Sequence, residues 1–361
     1  MTRGVAMCRI LACNLLFMAA IPMLAQSKGS TIVLKTSWAN QYRNELSIEA
    51  TLTVLGLNKG QEADGDVHGG SRKNSVGLPM VAELLNGRGA QQDAGRSALD
   101  PGSNPQKNVY GAWRLWFEHP PAGGGTQCQT FSGNAPPICE HQALTGADSN
   151  PAHSFEIHPV FAVDGVSVAR SSMILTSANT SVKKADKAFG DYAGKNKILH
   201  VVRSASALTL TSITLQDNYV EMNVRVTRSR VPTHRQSDGK VDGGYVVGDV
   251  MSTEDPEQAL KKDVRLFYLR DSEPGDALDN AKPRDTFRLL GMPRINLDAV
   301  LTSSEGQIIG GHASAVRVRD GREGERRVAV HGICRCLCYK RGTAFNRKSA
   351  VTRVERWAFV P

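Results

Sequence analysis

Two short segments concentrate carboxylate and imidazole groups: Asp64-Gly65-Asp66-Val67-His68 and, far downstream, His153-Ser154-Phe155-Glu156-Ile157-His158-Pro159. Side chains alternate faces along an extended strand, so Asp64, Asp66 and His68 fall on one face, and Glu156 and His158 share a face of a second strand. Imidazole nitrogen and carboxylate oxygen together suit a divalent metal, zinc or calcium, and adjacent strands would supply three or four ligands. With one coordination position open, a bound water becomes a nucleophile at neutral pH. The competing reading is structural. Asp-Gly is a turn signal, and a histidine beside a strand carboxylate satisfies a local hydrogen bond. Both readings stand for Asp64, Asp66, His68, Glu156 and His158, and no residue is assigned a catalytic role.

Five of the nine histidines (His68, His119, His141, His153 and His158) lie between the start of the first motif and the end of the second, an enrichment that favours a site. Glu118 and His119 are neighbours in sequence, so a strand points them to opposite faces, which makes a strand end the simpler reading. Other chemistries lack their motifs. There is no P-loop, no dinucleotide Gly-x-Gly-x-x-Gly after a strand, and no Gly-x-Ser-x-Gly elbow; Gly310-Gly311-His312-Ala313-Ser314 has the wrong spacing. Aromatic residues are 6% of the chain and do not interleave with basic ones, which argues against a single-stranded nucleic-acid platform.

The elements that must position these groups are strands. β-branched and apolar runs predict strands at Thr31–Lys35, Leu46–Leu55, Val76–Leu85, Tyr110–His119 and Phe155–Val163. Within the fourth, Trp113, Leu115 and Phe117 alternate with Arg114, Trp116 and Glu118, which predicts one buried apolar face and one face showing a charged pair. Asn86–Gln106, dense in small and polar residues, reads as a mobile surface loop. Further strands are expected at Leu199–Val202, Leu208–Leu215, Tyr219–Thr227, Tyr245–Val250, Val264–Leu269 and Asp285–Leu290, with short helices over 181–189 and 257–262. The fold class is mainly β, with an N-terminal OB-like small barrel over residues 26–166 and a second β-rich domain over 167–305.

Arg3 and Arg9 precede the apolar run Ile10–Leu24, which reads as a secretory signal peptide over residues 1–25, so the mature protein is expected to be exported, periplasmic or extracellular. No other stretch reaches the ~20 apolar residues a membrane span needs. Export permits disulfides, and Cys128 and Cys139 bracket a short loop whose closure would contribute about 2 to 3 kcal/mol. Cys334, Cys336 and Cys338 lack zinc-knuckle spacing and read as incidental thiols. From Arg317 to Pro361 there are twelve basic and four acidic residues, so residues 306–361 form a basic Cys/Arg-rich extension whose composition suits a poorly ordered tail. Such a tail attracts anionic partners without specificity.

The pairing of Asp64-Gly65-Asp66-Val67-His68 with Glu156-Ile157-His158-Pro159, together with Gly291-Met292-Pro293-Arg294-Ile295-Asn296-Leu297, resembles a group of uncharacterised bacterial exported proteins over about Thr31 to Val300. That resemblance brings no activity with it. The Asp64-Gly65-Asp66 turn is also similar to the corresponding turn of staphylococcal-nuclease-like OB barrels, where aspartates help hold calcium; this likeness covers the first domain only, and that family's catalytic arginine and glutamate motifs have no counterpart here. Two functions follow: an exported β-rich binding or structural protein with an envelope or polysaccharide ligand, and a metal-dependent hydrolase, on phosphodiesters, using the Asp64/Asp66/His68 and Glu156/His158 faces.

Overall fold

A computed structural model describes residues 29–58, 65–131, 139, 148–168, 182–193, 200–215, 217–233, 243–270, 273–302 and 313–315. The expected signal peptide, Asp64, His141, Ser181, the tail cysteines and most of the basic extension lie outside these residues.

The strands of the first half are β1 (Ser30–Lys35), β2 (Ser47–Thr53), β3 (Gly56–Leu57), β4 (Val67–Ser71), β5 (Lys73–Asn74), β6 (Met80–Leu84), β7 (Gln106–His119), β8 (Thr126–Cys128), β9 (His153–Val163) and β10 (Val166–Ser167). Those of the second half are β11 (Val182–Lys184), β12 (His200–Arg203), β13 (Ala207–Ser212), β14 (Tyr219–Thr233), β15 (Gly243–Met251), β16 (Ala259–Leu269), β17 (Thr286–Pro293) and β18 (Ala313–Ala315). Among the described residues, short α-helices accompany them: α1 (Thr36–Tyr42), α2 (Asp93–Leu99), α3 (Ala185–Ala193), α4 (Glu273–Leu278) and α5 (Leu297–Thr302).

The protein is mainly β, with one sheet curled into a half-barrel. That eight-stranded sheet runs β3-β4-β6-β9-β7-β2-β5, with β10 added beside β9. A four-stranded sheet runs β12-β13-β1-β8, so strands from either side of residue 166 pair through β1, and a six-stranded sheet runs β16-β15-β14-β17-β18 with β11 against β14. One continuous hydrophobic core reaches from Ile32 to Val300. Cys128 and Cys139 are at disulfide distance, with sulfurs 2.03 Å apart.

Alternation explains which face of the half-barrel is apolar. Trp113 pairs with Ile157 and Leu115 with Phe155 across β7 and β9, and Trp113 stacks on Phe155 at 6.4 Å between centroids. The opposite face was expected to display Arg114 and Glu118 to solvent. It is instead covered: Arg114 is 1% exposed and Trp116 is buried, because the start of β14 and the end of β17 pack over them. Gly111 lets β7 approach β9 closely, since a Cβ there would sit 2.4 Å from the Pro159 carbonyl oxygen. The ladder register shifts on both sides of it, bending β7 into the curl.

Three other expectations change. Asn86–Gln106 is no mobile loop: it carries α2, and Leu99 is buried against Gly69. The segment expected to be helical at 257–262 enters β16 at Ala259, because Leu260 and Lys262 continue a strand that pairs with β15. Over 181–189, the described part opens as β11 before α3 begins at Ala185.

Candidate functional site: a buried carboxylate–imidazole centre

Neighbouring strands place the polar groups in a row. His68 on β4 lies opposite Glu83 on antiparallel β6, while Glu156 on β9 lies opposite both Val81 on β6 and Arg114 on β7. Because side chains alternate, these residues and His158 share the covered face. Asp66, just before β4, stands at the end of the row. Gly65 takes φ +87°, a left-handed conformation that glycine adopts without penalty, and its carbonyl accepts the Arg88 N–H at 3.1 Å.

The contacts interlock. His68 Nε2 meets Glu83 Oε1 at 2.7 Å, and His158 Nδ1 lies 3.0 Å from Glu83 Oε2. Hence His68 and His158 do converge, on a carboxylate between them. Asp66 Oδ1 accepts the Asn86 N–H at 2.6 Å, and Oδ2 accepts the Tyr219 hydroxyl at 2.6 Å. His158 Nε2 is 3.4 Å from both Asp66 Oδ2 and the Tyr219 oxygen. Glu156 Oε2 accepts from Arg114 at 3.0 Å, while its other oxygen faces His153 Nε2 at 3.3 Å. Asp66 and His158 are fully buried, and Glu83, Glu156, His68 and His153 nearly so.

Arg114 organises one side. The two N–H groups of its Nη1 are shared among Glu118, Glu156 and Asn218, while Nη2 donates to the Asp217 carbonyl and Nε to the Pro293 carbonyl. Planar, multiple donation of this kind is specific to arginine. Glu118 and His119, neighbours expected to diverge, both reach the rim: Glu118 bonds Arg114 at 2.8 Å, and the half-exposed His119 ring sits 5.4 Å from that of His153.

Electrostatics split the carboxylates. Burial alone would raise Glu83 and Glu156. The charges of His158 and His68, with the His68 hydrogen bond, outweigh it at Glu83, and Arg114 with the imidazoles outweighs it at Glu156, so both lie below the ordinary carboxylate value. His158 moves the other way, well above the ordinary histidine value, because Glu83, Asp66 and Glu156 overcome the cost of burying its charge. Glu118 shares its guanidinium with Glu156, and burial with the repulsion of Glu156 raises it to about 7 despite Arg114. Burial and the neighbouring His153 push His119 down to about 4.

A pH effect follows from the last two groups. Folded Glu118 holds its proton more tightly than the unfolded chain, where the ordinary value is 4.5, so its stabilising effect fades as pH rises through about 7. His119 opposes this between about 4 and its ordinary 6.5, where unfolding takes up a proton and stability therefore rises with pH. Between about pH 6.5 and 7 only the Glu118 slope remains, and it ends above about 7, where folded and unfolded chains have both lost the proton. Glu118→Gln is expected to flatten the loss of melting temperature between about pH 6.5 and 7; an unchanged slope there would count against this role for Glu118.

Of the residues the motifs single out, Asp66, His68, Glu156 and His158 come together; Asp64 lies outside the described residues. Glu83, Arg114 and Tyr219 join them without having been marked in the sequence. The signal for Glu83 was a lone carboxylate inside Met80–Leu85, where a buried strand tolerates a charge only if it is paired. Asp66, Glu83 and His158 each offer a ligand atom, all within 4.8 Å of one another. No protein-family model matches this chain. No curated protein matches it.

Proposed function

We propose that the chain is an exported β-rich binding or structural protein, acting in the cell envelope on a polysaccharide or another envelope component. In this reading the carboxylate–imidazole centre fastens the six-stranded sheet onto the half-barrel. Burial carries the reading: Asp66 and His158 are 0% exposed, beneath Tyr219 of the overlying sheet. Hydrolysis needs a face open to substrate and water, whereas these groups face one another. Export rests on the Arg3/Arg9 and Ile10–Leu24 pattern, and no helix among the described residues is long and apolar enough to cross a membrane.

One observation favours a second reading, a metal-dependent hydrolase: the convergence of Asp66, Glu83 and His158. Two assays on the purified mature chain separate them. Sedimentation with insoluble envelope polysaccharide is expected to retain the protein. Zinc-supplemented turnover of bis(p-nitrophenyl) phosphate that disappears in His158→Gln, with no polysaccharide retained, would replace the first reading by the second.

A further inference from the structure

We infer that Asp66, Glu83 and His158 hold a single divalent transition-metal ion of the zinc class, in a closed site that orders the protein rather than performing a reaction. One donor atom from each residue lies within 4.8 Å of the others. The side chains come from the turn before β4, from β6 and from β9, so a bound ion would cross-link elements distant in sequence.

An independent feature points to a ligand here. His158 Nδ1 is buried and has no aligned hydrogen bond, although Glu83 Oε2 is 3.0 Å away and Glu156 Oε2 3.5 Å away. The nitrogen is therefore set beside the Glu83 oxygen at the spacing of neighbouring ligands on one ion, without the direction of a hydrogen bond, and Asp66 Oδ2 lies 3.4 Å from the other ring nitrogen. With metal–ligand distances of about 2.0 to 2.2 Å, adjacent donors fall roughly 3 to 3.5 Å apart.

The surrounding contacts match the outer layer that fixes metal ligands. Glu83 Oε1 is held by His68, which turns Oε2 toward His158. Asp66 is oriented by the Asn86 N–H and the Tyr219 hydroxyl. Arg114 donates to Glu156 and Glu118, which gives those two carboxylates a cation of their own, while Asp66 and Glu83 face His158. Two carboxylates with a neutral imidazole balance a doubly charged ion. Calcium prefers six to eight oxygen ligands, whereas a nitrogen donor and a small donor set select zinc and its neighbours.

The test uses the full mature chain, stripped with EDTA, dialysed and titrated with zinc or cobalt. Expected are one ion per chain, a higher melting temperature with zinc, and a visible cobalt absorption that zinc abolishes. His68→Gln, which leaves all three ligands in place, is expected to weaken zinc binding roughly 10- to 100-fold; Glu83→Gln and His158→Gln should weaken it more. If those two variants do not fold, the wild-type stoichiometry and cobalt spectrum still decide. Uptake well below one equivalent by the wild-type chain with no change in melting would overturn the inference, leaving an imidazolium between two carboxylates. Full uptake by folded Glu83→Gln and His158→Gln would overturn it as well, by moving the ion elsewhere. Polysaccharide retention is measured separately, so a metal-free centre leaves the binding reading intact.

Discussion

Arg114→Met is expected to destabilise the protein by about 3 to 5 kcal/mol, the usual cost of removing one partner of a buried ion pair. The variant keeps much of the aliphatic volume and loses every donor. Glu156, 1% exposed, would then be a buried carboxylate without its guanidinium, and the Asp217 and Pro293 carbonyls would lose their bonds. Urea denaturation should show a lower midpoint with an unchanged slope. Adding Glu156→Gln should recover part of the loss, because the stranded charge is gone. A single variant within about 1 kcal/mol of wild type would mean that the covered face opens to water, since exposed ion pairs are worth no more than that.

Arg294→Leu is expected to cost about 3 kcal/mol, combining desolvated cation–π contacts with the loss of hydrogen bonds to buried carbonyls. Arg294 is 3% exposed, with its guanidinium carbon 4.1 Å from the Trp113 ring centroid and 3.9 Å from that of Phe267. It donates to the carbonyls of Trp113 and Glu45. Burial and the nearby Arg265 charge press its pKa down, and the Glu45 charge, the two rings and the two carbonyls keep the cation in place. One side chain thereby joins the half-barrel to the six-stranded sheet. Arg294→Lys should lose most of the same stability, because an ammonium neither stacks as a plane nor donates in a fork. A lysine variant melting with wild type would show that charge alone suffices.

Both arginines show where the sequence was legible and where it was not. Strand positions followed from period-two alternation: β1, β2, β7, β9, β13, β14 and β17 lie close to where β-branched and apolar runs put them. The shared Glu156/His158 face was also readable, because its geometry is local. What alternation cannot reveal is what covers a face. Arg114, Trp116 and Glu118 have the pattern of a solvated face, yet Asn218, Tyr219 and Pro293 lie on it from more than a hundred residues away. Glu83 was hidden for the same reason: its apolar neighbours indicate burial, and only the pairing of β4, β6 and β9 shows that His68 and His158 stand on either side of it.

The place of β1 also governs when the protein can fold. Its neighbours are β8 and β13, and the hydroxyls of Thr31 and Thr211 that meet across one ladder are 180 positions apart. β9 likewise enters between β6 and β7 only after both have been made. Contacts over such separations require closing large loops before any pairing energy returns, which slows folding and leaves apolar strands such as Ile32-Val33-Leu34 waiting for partners. Under the export proposed above, this late assembly would have a use: the first strand cannot lock until the segment that completes its sheet has followed it through the channel.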